Sequence, residues 1–156
     1  MSTDLKKTFW SRISDVQAGM LDTGNGRYVP MSPNIDDEQN AIWFITAEGT
    51  DAEREADSGA TARFIVADPK SDLYANIEGQ LTEVNDEAKL DELWNAVAAA
   101  WFKDGREDKD IRLIKFTPHQ AEIWATGSSI GFLYEIAKAN LTEDTADAGE
   151  HGKVTF

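Results

Sequence analysis

The chain has 156 residues and a mass of 17.3 kDa, with 41% hydrophobic and 28% charged residues, which suits one globular domain with a real core rather than a disordered segment. Fifteen basic against 29 acidic residues give a formal net charge of -14, which would repel a nucleic-acid backbone or an anionic membrane, so neither is expected as a partner. Cysteine is absent, which removes disulfides, thiolate metal sites and cysteine nucleophiles together.

The amino terminus has two lysines but no apolar run after them, and no stretch approaches the roughly 18 apolar residues of a membrane span, so a cytoplasmic protein is expected. Leu5, Phe9, Ile13 and Val16 recur at helical spacing behind Thr3, a candidate cap, and predict an amphipathic first helix ending near Gly19. Residues 20–23 read as a short strand, and Thr23-Gly24-Asn25-Gly26 as a turn. Arg27 opens the next strand. Pro30 and Pro33 cannot donate to a ladder, so residues 28–33 are expected at an edge or bulge.

Residues 34–40 are polar and turn-forming, so this edge strand is expected to form a hairpin with residues 41–46, a run apolar enough to be buried on both faces. Thr50 followed by Glu53 fits a capping box for a short helix that Gly59 would end. A strand over residues 63–67 then turns at Asp68-Pro69-Lys70-Ser71. In the next strand Leu73, Ala75, Ile77, Gly79 and Leu81 alternate with polar residues, one face for a core and one for solvent. Asn85 can cap a long helix whose stripe of Leu90, Leu93, Trp94, Val97, Ala98 and Trp101 would bury two tryptophans.

Residues 103–110 form a charged loop. Two strands follow, residues 111–116 and 121–125, separated by Thr117-Pro118-His119-Gln120; a last helix is expected over residues 130–141. Successive strands are joined too closely for regular parallel crossovers, so the expected fold is α+β, an antiparallel barrel of about six or seven strands with three or four peripheral helices. Residues 1–141 make one domain and residues 142–156 an acidic tail.

No catalytic residue stands out. His119 and His151 lie beside turn residues without metal-pair spacing, and a solvent-facing role is expected for each. Ser128-Ser129 lacks a nucleophile-elbow pattern, so hydrolase chemistry is set aside. Carboxylate runs such as Asp36-Asp37-Glu38 read as solvated surface, and Glu78 alone has a claim to a pocket. Trp43 and Trp124 each lie in a strand beside a residue that should face the core.

Several segments in order carry a family likeness: Phe9-Trp10, Gly19-Met20-Leu21, Pro30-Met31, Ile42-Trp43-Phe44-Ile45-Thr46, Leu93-Trp94, Trp101-Phe102 to Gly105, Ala121-Glu122-Ile123-Trp124, and the ending Gly149-Glu150-His151-Gly152-Lys153-Val154. Together they resemble the general stress protein branch of the pyridoxamine phosphate oxidase-like superfamily. The resemblance implies a split β-barrel, usually a homodimer, with flavin mononucleotide (FMN) in a cleft between protomers. It implies phosphate contacts from Arg27, Thr46 and Thr50; Arg54, from its position one turn into the helix, is expected to swing back and add a second cation. It implies a ring lined by the backbone of Val29, Pro30, Met31 and Ile45 and closed by Trp124 of the partner chain. Two cations common in the family are replaced here by Val29 and Ala52, and Asp51 and Glu53 add carboxylates to the first turn of the helix. The implied function is flavin redox chemistry of a stress-related oxidoreductase, with hydride from a nicotinamide donor or another reductant. A flavin carrier or sensor without turnover, and a dimeric scaffold that has lost FMN, are the alternatives.

Overall fold

The structure is a computed structural model of the chain and describes residues 2–23, 26–125 and 150–156. In chain order its regular elements are α1 (Ser2–Ile13), β1 (Gly19–Asp22), β2 (Tyr28–Met31), β3 (Asn34–Asp36), β4 (Ala41–Ala47), α2 (Asp51–Asp57), β5 (Thr61–Asp68), β6 (Leu73–Val84), α3 (Glu87–Leu93), α4 (Ala96–Ala99), β7 (Ile111–Ala125) and β8 (Glu150–Thr155). Single 3₁₀ turns follow β3 and α4.

All pairings are antiparallel, in the order β2-β1-β5-β6-β7-β4-β3, with β8 also on β7. The two ends of this order, β2 and β3, are consecutive in the chain and joined only by Ser32 and Pro33. Met31 and Asn34 can therefore be no more than about 11 Å apart. The sheet must curl until its edges approach, which makes the α+β split barrel. β7 is the spine: Ile111 to Phe116 pair with β4, Gln120 to Ala125 pair with β8, and β6 runs beside both halves. The register shifts at Glu78/Gly79, opposite Pro118, where β7 changes partner. Pro118 does not break β7 into two strands, because the partner absorbs the irregularity as a bulge.

The alternation read in β6 matches its burial, with Leu73, Ile77 and Leu81 fully enclosed. They join Phe9, Ile13, Ile42, Phe44, Phe64 and Phe116 in one core. Phe44 and Phe64 meet edge-to-face at 5.0 Å between centroids. A second cluster lies on the other face of β4 and β7, where Ala41, Trp43 and Leu113 are covered by Leu90 of α3. This double cover explains the near-continuous apolar run of β4.

Four expectations are corrected. The strand over residues 28–31 pairs with β1, not β4; the partner of β4 is β3, inside the stretch read as a turn, because Ile35 packs on the core. The long helix over residues 85–101 is two short ones. Asp86, not Asn85, caps α3; the backbone is extended at Trp94; and Asn95 caps α4 by accepting from the Ala98 N–H. Trp101 is consequently 81% exposed rather than buried. Finally, the tail placed at residues 142–156 includes β8, which adds a strand to the sheet with Val154 in the core. The helix expected over residues 130–141, Ser128, Ser129 and residues 142–149 lie outside the described residues.

Candidate functional site

The corner where β4 passes into α2 is built by local hydrogen bonds. Thr50 Oγ1 accepts from the Glu53 N–H at 3.2 Å and donates to the Ala47 carbonyl at 2.9 Å, so one side chain caps α2 and closes the turn before it. Glu53 reaches back, but to the N–H of Gly49 at 2.8 Å, one residue earlier than the reciprocal bond of a capping box. Gly49 has φ of +83°, the left-handed conformation glycine adopts without strain. Thr46 Oγ1 lies 3.1 Å from Thr50 Oγ1 and is almost fully buried, so the two threonines sit back to back under the turn.

Two arginines meet above it. Arg27 is fixed by its backbone, whose carbonyl accepts from both the N–H and the hydroxyl of Thr23, a buried residue. Its Nη1 lies 2.8 Å from Asp51 Oδ2. Arg54 donates from Nη1 to the Gly49 carbonyl at 2.8 Å and from Nη2 to Asp51 Oδ1. One carboxylate thus holds two guanidinium groups from separate parts of the chain. Both arginines remain well exposed, at 66% and 62% of their side-chain surface, which places the pair at an open rim.

A second charged network braces the turn from beneath. Arg112 of β7, directly opposite Thr46, is 3.0 Å from Glu53, 3.3 Å from Glu48 and 3.7 Å from Glu83. The Gly49 N–H, and further Arg112, hold the Glu53 carboxyl below the usual carboxylate range. Burial, followed by the neighbouring Glu53, pushes Glu83 up. Arg112 and Glu83 also line a cleft of about 470 Å³ with Arg106, Lys109 and Leu113. The carboxylates predicted to repel an anion are therefore both committed to cations, Asp51 to Arg27 and Arg54, Glu53 to Arg112. Arg112 escaped sequence reasoning because its role depends on the pairing of β4 with β7, about seventy residues apart, which leaves no local signal.

The remaining predicted residues fall elsewhere. Val29, Pro30 and Met31 follow Arg27 on the edge strand β2, with Val29 and Met31 half-buried and Pro30 exposed. Ile45 packs in the second cluster. Trp124 sits near the far end of β7, tens of ångströms along the strand from Arg112 at about 3.3 Å per residue. It stacks on His151 of β8, with ring centroids 4.8 Å apart and planes 7° off parallel, and His151 Nε2 lies 2.9 Å from Glu122. Arg27, Thr46, Thr50 and Arg54 thus form one corner, and Trp124 belongs to another part of β7, stacked on His151. Glu78 lines a small cleft with Arg63, Asn76 and Gln120, where Arg63 donates to it at 3.0 Å. Among the described residues, no cluster of His, Asp and Glu is arranged to hold a metal ion, and no helix is long and apolar enough to cross a membrane.

Residues 4–147 match the sequence pattern of the family described as pyridoxamine 5′-phosphate oxidase like. The chain belongs to this family. Among solved structures, a candidate general stress protein 26 from Jannaschia sp. CCS1 is 48% identical, with both chains covered over 100% of their length and a TM-score of 0.86. A candidate general stress family protein from Xanthomonas campestris pv. campestris is 30% identical over 82% of this chain and 91% of that one, with a TM-score of 0.71. The general stress FMN/FAD binding protein from Xanthomonas citri is 29% identical over 79% of this chain and 89% of that one, with a TM-score of 0.70. Among curated proteins, none matches the chain. The likeness to other members of the family thus spans nearly the whole barrel, including β4, α2 and β7.

Proposed function

We propose that the chain is a flavin-binding split-barrel protein with FMN as its cofactor, acting as a flavin-dependent oxidoreductase. The observation that carries this reading is the convergence of Arg27 and Arg54 on a single anionic point at an exposed rim, above the Thr46–Thr50 pair. Two guanidinium groups so placed fit a phosphate in charge and in hydrogen-bonding type. The exposed ion pairs that now occupy them are individually weak, about 0 to 1 kcal/mol each, so exchanging one anion for another there is inexpensive. The family membership and the FMN/FAD binding named for the Xanthomonas citri protein support the same cofactor class.

In this reading Arg27 and Arg54 hold the phosphate, and Thr46 and Thr50 shape the floor beneath it. The edge strand at Val29, Pro30 and Met31, together with Ile45, lines the ring. The flavin supplies the redox chemistry, while the protein supplies position and field. Trp124 lies near the other end of β7 from Arg112, which braces the corner, and this reading puts it in a homodimer in which Trp124 of one copy covers the site of the other. The nicotinamide dinucleotides are the donor class to test first.

The deciding experiment is the visible spectrum of the purified protein before addition of FMN and after addition and removal of the unbound excess by gel filtration, followed by addition of NADH or NADPH under anaerobic conditions. Bound flavin that is bleached by a nicotinamide supports the oxidoreductase. Bound flavin that stays oxidised leaves a carrier or sensor. A protein that gains no visible absorbance is a scaffold, and the reading fails.

A further inference from the structure

We propose that Asp51 is an internal ligand of the Arg27–Arg54 pair, occupying the place of an external phosphate and setting how tightly that phosphate binds. The inference rests on the flavin reading only for the identity of the ligand. Its basis is the stoichiometry of the corner. At Arg106, Arg112 and Lys89 one cation faces two or three carboxylates, as a chain with a net charge of -14 leads one to expect. At Asp51 the ratio is inverted, because among the described residues two arginines share this one carboxylate.

Each arginine also has an anchor other than Asp51, at the backbone for Arg27 and at the guanidinium for Arg54. The Arg27 backbone is tied to Thr23, and Arg54 Nη1 is tied to the Gly49 carbonyl. Removing or displacing the Asp51 carboxylate therefore leaves the Arg54 guanidinium anchored and lets the Arg27 side chain turn, from a fixed backbone, toward an incoming anion. Glu48, Glu53 and Glu83 are drawn toward Arg112 instead. The site consists of the two side chains and does not depend on the end of the seven-residue α2, where the Glu53 N–H is already bonded to Thr50 and the Gly49 N–H to Glu53.

Asp51 then acts as a specificity element. A ligand must carry enough negative charge to outcompete a tethered carboxylate, which favours a phosphate monoester over a carboxylate or an uncharged molecule. FMN meets the condition, and riboflavin, which lacks the phosphate, does not engage the pair at all.

The test compares wild type with Asp51→Asn and Asp51→Ser for binding of FMN, riboflavin and inorganic phosphate, each alone, by flavin fluorescence and by calorimetry. Near-UV circular dichroism of both variants checks that the fold is kept. Two exposed ion pairs are relieved, so FMN and phosphate are expected to bind about tenfold more tightly to the variants, with riboflavin unchanged. Adding Arg27→Ala or Arg54→Ala to Asp51→Asn should remove the gain. If phosphate binding strengthens while neither protein binds a flavin, the internal-ligand proposal stands and the flavin reading falls. If FMN binds wild type and Asp51 variants equally, the flavin reading stands and this proposal is overturned. If neither protein binds FMN, riboflavin or phosphate, both are overturned.

Discussion

Lys89 of α3 places its Nζ 2.8 Å from Asp36 Oδ2 at the end of β3, and the two side chains are only 13% and 17% exposed. This pair pins the helix that covers the second apolar cluster to the edge of the sheet. Lys89 Nζ also lies 5.5 Å from the centre of the Trp43 ring, which adds a cation–π contact.

Breaking the pair from one side strands a poorly solvated charge. Lys89→Met should lower stability by about 2 kcal/mol, and Asp36→Asn added to it should restore most of the loss. The pH dependence has two edges. The bond from Lys89 holds the Asp36 carboxyl below its ordinary range, so its contribution is complete above that range and is lost as pH falls through the depressed value. The bond to Asp36 raises Lys89, whose contribution is lost as pH rises past the ordinary lysine range. Urea unfolding across pH reads both edges, and Lys89→Met should flatten them.

Glu83 gives the opposite sign. Its folded-state value is raised by burial and by Glu53, so the native chain holds a proton that the unfolded chain releases, and stability falls as pH rises from the ordinary glutamate value to the raised one. Glu83→Gln should remove this dependence and stabilise the protein at neutral pH by about 0.5 kcal/mol, a small figure because the side chain is 34% exposed. A loss of stability at pH 7 would show that the ion pair with Arg112 outweighs the repulsion.

Gly79 sits where β6 passes the bend of β7. A Cβ there would lie 2.4 Å from the Thr117 carbonyl oxygen and 2.9 Å from both the Phe116 ring and Pro118 Cα, two of the three being backbone atoms. Gly79→Ala is expected to cost about 3 kcal/mol by thermal or urea unfolding. Gly59 meets only the end of Gln80, at 3.7 Å, and its φ of +68° sets the penalty, so Gly59→Ala should cost about 1 kcal/mol.

Trp101 offers a control. With 81% of its surface exposed, Trp101→Ser should change stability by no more than about 0.5 kcal/mol, whereas Phe9→Ala, fully enclosed in the main core, should cost about 4 kcal/mol. Parallel urea titrations compare them directly.

Local patterns made much of this fold legible. The spacing of Leu5, Phe9 and Ile13, the alternation in β6 and the Thr50 cap all correspond to elements or bonds in the structure, because each rests on neighbours within a few residues. The misreadings share a cause as well. Ile35 makes a strand of a turn-like stretch only because the core is within reach, and β8 exists only because β7 offers it an edge. The break at Trp94 was written in Asn95, a good cap, but the stripe that runs through it imitates one helix. At the candidate site, the residues named from the resemblance can be located, and the corner formed by Arg27, Thr46, Thr50 and Arg54 comes together in space. What could not be read was which charges would neutralise which, since Asp51 is met by Arg27 and Arg112 by Glu53 from distant parts of the chain.

The pairing of β4 with β7 also bears on how the chain reaches this structure. Ile42 and Phe44 emerge from the ribosome about seventy residues before Phe116 and Ile114, their partners across the ladder. Until then a strand with two apolar faces has only the three-residue β3 to pair with, while the longer β1–β2 and β5–β6 hairpins can form at once from nearby chain. The slow event in biogenesis is therefore the arrival of β7, and β4 is the segment whose waiting time exposes the nascent chain to aggregation and to chaperones.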